Sequence, residues 1–130
     1  MNAQSMMDEY KTIALKSGVE SAGPHQLIDM LLKGAMRKIS ESKAAMAGGQ
    51  LALKGEALGK AIGIVGYLRA SLDPGIDTSF AKQLGGLYEY MERRLLDANI
   101  KNDEAALDEV QSLLRELSEG WEGIPEEYRS

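Results

Sequence analysis

The stretch that decides the fold runs from Leu87 to Asp103 and reads LYEYMERRLLDANIKND. Its apolar residues recur every three or four positions, which predicts a helix with one face against a core. These residues are Leu87, Tyr88, Met91, Leu95 and Ala98. Asn99, Asn102 and Asp103 then interrupt the pattern with residue types that end one helix and cap the next. The stretch therefore predicts two helices joined by a tight corner, with Asn102 or Asp103 as the cap of the second.

Upstream of this corner, the apolar pattern predicts two long helices. Pro24 suits the first position of a helix because its missing N–H would be unpaired there, and Gly23 would then be the cap. This helix ends at Gly48-Gly49. The second runs from about Leu51 to Leu72 and is ended by Asp73-Pro74-Gly75, since a residue before proline is pushed out of the helical region. Its expected core residues are Leu58, Ala61, Ile62, Val65, Leu68 and Leu72.

The last two helices lie on either side of the corner. The first of them begins at a cap among Asp77, Thr78 and Ser79. The final helix carries a heptad seam, typical of packing against neighbouring helices, formed by Leu107, Val110, Leu114, Leu117 and Trp121. Gly123 and Pro125 end it. Four helices with short connections predict an all-α fold, an antiparallel up-down four-helix bundle with a short N-terminal helical or mobile arm.

A chain of 130 residues is long enough for one domain with a single core. We expect an N-terminal arm over residues 1–20, the bundle over residues 21–122 and a tail over residues 123–130. Met6, Tyr10 and Ile13 share one helical face of the arm. The arm is either packed loosely on the bundle or is a mobile segment that docks on a partner.

Composition excludes several classes of function. The formal net charge is −5, which gives no electrostatic support for binding nucleic acid or an anionic membrane. No run of apolar residues is long enough to insert in a membrane, and the N-terminus lacks the features of a secretory signal. The absence of Cys fits a reducing compartment. We therefore expect a cytoplasmic protein.

Residues able to perform catalysis are scarce. His25 is the single His, and we expect it on the surface in the first turn of a helix. The chain lacks the three or four ligands of a zinc site and the Glu-x-x-His pairs of di-iron bundles. Gly55 to Lys60 contains glycines and a lysine but not the spacing of a phosphate-binding loop. The sequence therefore predicts no enzyme, no metal and no cofactor.

Two features of the second helix point to a partner instead. Gly59, Gly63 and Gly66 lie inside it, where each costs roughly 1 kcal/mol relative to Ala. They either let two helices approach closely or leave a groove that an apolar segment of a partner can enter. A second apolar stripe, beside the core stripe, supports the groove because contiguous apolar surface usually marks an interaction site. The stripe consists of Leu53, Ala57 and Ile64, with Leu68 at its boundary. Tyr67 lies nearly opposite the core on the same helix, and Tyr90 and Leu113 flank the core on their own helices. These seven residues form the predicted groove.

The same segments resemble a known family. The pattern LYxYMxRRLxxANxxND followed by LDEV and LL, together with PHQLIxML from Pro24 and KGEALxKAI from Lys54, is similar to the FliS family of flagellin-specific export chaperones. The likeness runs in order from about Tyr10 to Trp121. Gly23 is a departure, because the family usually has Ser or Thr at this cap. The resemblance implies a cytosolic chaperone that binds the disordered C-terminal segment of flagellin, prevents premature polymerisation and delivers flagellin to the flagellar type III export apparatus.

The resemblance also implies roles for the arm. In the family, the arm covers part of the hydrophobic surface when flagellin is absent, and its apolar residues help to dock the loaded complex on the export gate protein. Met7 and Tyr10 match those positions. No cofactor is implied. The residues alone leave open a bundle that only self-associates, with the second stripe as the face of a homodimer.

Overall fold

The computed structural model describes residues 23–72 and 79–125. Within these residues the chain forms four helices and no strand: α1 (Pro24–Ala47), α2 (Leu51–Ala70), α3 (Ser79–Lys101) and α4 (Glu104–Glu122). The all-α four-helix bundle predicted from the apolar periodicity is confirmed. The arm with Met7 and Tyr10, the proposed stop at residues 73–75, and Asp77 and Thr78 lie outside the described residues.

The helices form a ring in which each contacts two neighbours. Helix α1 packs on α2 and α4, and α3 packs on α2 and α4, whereas the diagonal pairs do not meet in the described part of the chain. A helix that packs on two neighbours must bury a wide arc of its surface. The fully buried side chains at the centre of the ring include Leu31, Ile39, Leu58, Val65, Met91, Leu95, Leu107 and Leu114.

The predicted helix ends are largely confirmed. Pro24 occupies the start of α1 with Gly23 as its cap, and no side chain caps this end. Helix α2 ends at Ala70, two residues before the predicted Leu72. The heptad seam of α4 faces the core: Leu107, Val110 and Leu114 are buried, and Leu117 and Trp121 are partly buried against them.

The corner between α3 and α4 is built as the sequence predicts. Asp103 is the cap of α4, and its carboxylate accepts the N–H of Ala106 at 3.3 Å. Asn102 adopts a positive φ of 53°, a left-handed conformation that Asn tolerates better than most residues. This conformation turns the chain within two residues, so that α4 returns directly along α3.

Lys54 ties this corner to α2. Its side chain is 6% exposed, and its ammonium donates to the carbonyl oxygen of Asn99 at 2.8 Å and to the Asn102 side-chain oxygen. A cation at the last turn of a helix also interacts favourably with the helix dipole. The lysine of the family-like motif therefore has a structural role: it pairs the exposed carbonyl end of α3 with the first turn of α2.

No helix within residues 23–72 and 79–125 has the length and apolarity needed to cross a membrane.

Candidate partner-binding site

An apolar pocket of about 420 Å³ lies at the end of the bundle where α1 and α3 begin and α2 and α4 end. All four helices begin or end at this place, and each contributes at least one side chain to the lining. Its lining residues are Pro24, Leu27, Ile28, Tyr67, Leu68, Ser71, Leu72, Leu84, Tyr88 and Trp121. A pocket of this size and composition accepts apolar side chains of a ligand.

The pocket contains few polar groups. The Ser71 hydroxyl already donates to the carbonyl oxygen of Leu68 at 2.7 Å. Tyr88 is 4% exposed, and burial raises the pKa of its phenol to about 12, so the hydroxyl stays neutral at physiological pH. Among residues 23–72 and 79–125, no Asp, Glu, Lys, Arg or His lines the pocket. It therefore offers hydrophobic burial rather than electrostatic recognition.

A clasp formed by His25 and Trp121 closes one side of the pocket. The imidazole Nε2 donates to the Trp121 carbonyl oxygen at 2.9 Å, and the indole Nε1 donates to the His25 carbonyl oxygen at 2.7 Å. The two rings stack with centroids 4.7 Å apart and planes 12° from parallel. The expectation that His25 is a surface residue is therefore wrong. It is half-buried, and it joins the first turn of α1 to the last turn of α4.

Charged side chains support the clasp from outside. The ammonium of Lys33 pairs with Asp29 at 3.0 Å and with Glu122. The hydrogen bond between Lys33 and Glu122 raises the pKa of the lysine and lowers the pKa of the carboxyl group. These groups are exposed to solvent, which screens their attraction, so the pairs contribute little to stability. Their geometry nevertheless adds a second link between α1 and the end of α4.

The predicted groove residues do not form one exposed stripe on α2. Ile64 is fully buried, Leu68 is 1% exposed and Ala57 is 7% exposed, whereas Leu53 is 53% exposed. The expectation that Ile64 is partly exposed is wrong. The reason is that α2 contacts both α1 and α3, so its buried arc extends beyond the single core stripe read from the sequence.

The structure distributes the remaining groove candidates over three places. Tyr67 and Leu68 line the apolar pocket. Leu53 and Ala57 line a cleft of about 450 Å³ between α1 and α2. This cleft is more polar than the pocket, since the pairs Lys38–Glu41 and Lys60–Glu56 border it.

Tyr90 and Leu113 lie on the seam between α3 and α4. The Tyr90 hydroxyl donates to Glu109 at 2.8 Å, and Arg94 donates to the same carboxylate at 2.8 Å. The bond from Arg94, followed by that from Tyr90, lowers the pKa of Glu109. Leu113 is partly buried against the core. In the free protein both residues therefore have partners within the bundle.

The glycines of α2 differ in their surroundings. A Cβ at Gly66 would come within 3.1 Å of a carboxylate oxygen of Glu92, which is held at 2.7 Å by Arg69. Gly66 thus leaves room for the Glu92 side chain of α3. A Cβ at Gly59 would meet nothing within 4 Å. Packing inside the bundle does not explain Gly59.

Among residues 23–72 and 79–125, no three His, Cys, Asp or Glu side chains are grouped so that they could hold a metal ion. The site that the described residues do form is an uncharged apolar pocket at the junction of four helices. Fold and site together define a helical-bundle protein suited to hold apolar side chains of another polypeptide.

Comparison with known proteins gives the family. Residues 6–128 match the family model of the flagellar protein FliS. The chain is 42% identical over 124 residues to the flagellar secretion chaperone FliSB of Pseudomonas aeruginosa, covering 95% of this chain and 98% of that protein. It is 42% identical to the flagellar secretion chaperone FliS of Salmonella typhimurium over 125 residues, covering 95% of this chain and 93% of the relative.

The corresponding protein of Vibrio cholerae is 38% identical over 124 residues, which cover 95% of this chain and 91% of the relative. The chain belongs to the FliS family. Family membership indicates the role of a flagellar secretion chaperone, and not that of an enzyme.

Proposed function

We propose that this protein is a cytoplasmic export chaperone that binds the disordered C-terminal segment of flagellin, prevents its premature polymerisation and delivers it to the flagellar type III export apparatus. The observation that carries the proposal is the apolar pocket, to which all four helices contribute and whose lining, among the described residues, includes no charged side chain. Family membership supplies the class of client, and the pocket supplies a means of holding it.

The chemistry of the pocket suits a segment that folds as it binds. A disordered segment that carries spaced apolar side chains gains burial on a preformed groove and offsets the entropy that it loses on ordering. Burial of apolar surface contributes roughly 25 cal/mol per Å², so two or three seated side chains supply several kcal/mol. In our proposal Tyr67 and Leu68 bind the segment in the pocket. Leu53 and Ala57 at the α1–α2 cleft, and Tyr90 and Leu113 at the α3–α4 seam, are proposed as separate contacts of a segment that wraps around the bundle. Ile64 is left out because it is fully buried and lines neither the pocket nor the cleft.

The test uses Leu72→Lys and a flagellin C-terminal segment, titrated by calorimetry. Leu72 is partly buried at the mouth of the pocket, so a lysine stem can lie along the wall while the ammonium stays in water. Under a bound apolar segment the charge is buried without a partner. We expect the affinity to fall at least about tenfold, equivalent to ~1.4 kcal/mol.

The matched control is Leu51→Lys, at the first residue of α2. Leu51 is 57% exposed and lies at the other end of α2, away from the pocket, so this variant should bind within about twofold of the wild type. Circular dichroism establishes that both variants are folded. A folded Leu72→Lys variant with wild-type affinity would exclude the pocket as the site. Failure of the wild-type protein to bind any flagellin segment would exclude the function.

Delivery is the second part of the proposal and concerns the arm. We assign Met7 and Tyr10 to contact with the export gate protein, since they match the docking positions of the family. The double variant Met7→Ala, Tyr10→Ala should keep the melting temperature and the affinity for flagellin. It should capture the gate protein at least about fivefold less efficiently when loaded with flagellin, measured in a pull-down. A large fall in melting temperature would instead make these residues part of the fold.

The alternative to this proposal is a homodimer of the free protein. Five large apolar side chains are about half exposed or more: Leu51, Leu53, Phe80, Leu96 and Ile100. Sedimentation of the chain alone and with the flagellin segment separates the two readings. A dimer that persists and excludes the segment favours self-association, whereas a 1:1 complex favours the chaperone.

A further inference from the structure

The clasp between α1 and α4 adds to a connection that these two helices already have elsewhere. Helix α4 is already tied to α1 by Gln111, which donates to the Met36 carbonyl oxygen at 3.1 Å and to the Ser40 hydroxyl at 2.7 Å. The clasp adds two further hydrogen bonds and a ring stack in the last turn of α4. That turn contains Gly120, whose lack of a side chain weakens the helix by up to about 1 kcal/mol.

Trp121 and His25 stand in different relations to the pocket. Trp121 is one of its lining residues, whereas His25 is not. The imidazole therefore contacts the indole without being part of the pocket lining. The two rings are nearly parallel. His25 Nε2 donates to the Trp121 carbonyl oxygen, and Trp121 Nε1 donates to the His25 carbonyl oxygen. Together these contacts hold the indole in one orientation. Fixing a large aromatic wall in advance reduces the ordering entropy that a ligand must otherwise offset.

We propose that Trp121 contacts the bound apolar segment and that His25 is a positioning residue that holds the indole as a preformed wall of the pocket. This inference rests on the proposed function, and it names two residues that sequence patterning assigned elsewhere: Trp121 to the helix seam and His25 to the surface. Aromatic side chains are well suited to such a contact, since they bury a large area with few rotatable bonds.

The first measurement uses the fluorescence of Trp121, which is the single Trp of the chain. Acrylamide quenching is recorded for the full-length protein, free and saturated with the flagellin C-terminal segment. We expect the quenching constant to fall at least about twofold on binding, because the segment would cover the exposed part of the indole. An unchanged constant at saturation would overturn the contact role of Trp121. A residue that only stabilised the bundle would show no such protection.

The second measurement compares His25→Ala, His25→Phe and Gln111→Leu. His25→Ala removes the stack and the Nε2 bond, and we expect at least a tenfold loss of affinity for the segment, with a higher quenching constant in the free protein. His25→Phe keeps an aromatic ring against the indole and should bind within about threefold of the wild type. Gln111→Leu removes two hydrogen bonds between α1 and α4 outside the pocket, one more than His25→Ala removes, and should bind within about twofold.

The outcomes distinguish this inference from the function on which it rests. If the wild type binds the segment and His25→Ala binds equally well, the positioning role is rejected and the proposed function stands. If Gln111→Leu loses as much affinity as His25→Ala, the effect belongs to general loosening of the α1–α4 seam, and the positioning role is also rejected. If the wild type does not bind the segment, the proposed function fails first. If His25→Ala does not fold, the affinity of His25→Phe and the acrylamide quenching of Trp121 in the wild type still test the inference.

Discussion

Ile64→Lys is expected to leave the protein unfolded or close to unfolding at room temperature. Ile64 is fully buried in the core, so the new ammonium group would be taken out of water. Uncompensated burial of a charge typically costs 3–5 kcal/mol or more, added to the loss of about 2 kcal/mol or more of apolar burial. A domain of this size has a net stability of about 5–15 kcal/mol. Circular dichroism and a urea titration measure the loss.

Leu53→Lys is the matched substitution on the same helix. Leu53 is 53% exposed, so its free energy of unfolding should change by less than about 1 kcal/mol, as for other surface substitutions. Sequence patterning alone placed Leu53 and Ile64 on one stripe and predicted that both changes are tolerated. A stable, cooperatively unfolding Ile64→Lys variant would show that this side of α2 is open to solvent, contrary to the structure.

Lys54→Met should lower the free energy of unfolding by roughly 2–3 kcal/mol, since a hydrogen bond from a charged group contributes about 1.5–3 kcal/mol. Methionine keeps most of the apolar stem, so the expected loss isolates the ammonium group. Without it, the Asn99 carbonyl and the Asn102 side chain at the α3–α4 corner lose their shared donor. Urea unfolding followed by circular dichroism measures the difference.

Lys60→Met is the control, because Lys60 lies on the same helix and, within the described part of the chain, pairs with the exposed Glu56 at 3.6 Å. Its loss should change stability by no more than about 0.5 kcal/mol. Equal effects of the two substitutions would mean that the ammonium of Lys54 is no more important than any surface lysine, and that the corner is held by Asp103 alone.

Much of the fold follows from local rules that can be applied to the sequence directly. Pro24, Asn102 and Asp103 determine helix ends through their own backbone and side-chain chemistry, so their roles could be predicted without knowledge of the tertiary structure. The seam of α4 could be predicted because a spacing of three and four residues has one simple explanation in a helix. These are contacts within one helix or with an immediate neighbour.

The candidate site depends on contacts that no local pattern encodes. His25 and Trp121 are 96 residues apart in sequence, and nothing in either flanking segment indicates that they stack. The exposure of Ile64 was misjudged because the width of the buried arc on α2 depends on the placement of α1 and α3. The pocket itself is lined by the ends of all four helices, and such a convergence is visible only once the helices are packed.

The ring arrangement of the helices also determines when the apolar pocket can form. Three of its four seams join helices that are consecutive in the chain, and only the α1–α4 seam joins the first helix to the last. Contacts of short sequence separation form with little loss of chain entropy, whereas the closing seam requires the longest loop. The pocket needs Trp121 from the far end of α4. A growing or truncated chain that lacks α4 therefore lacks one wall of the pocket.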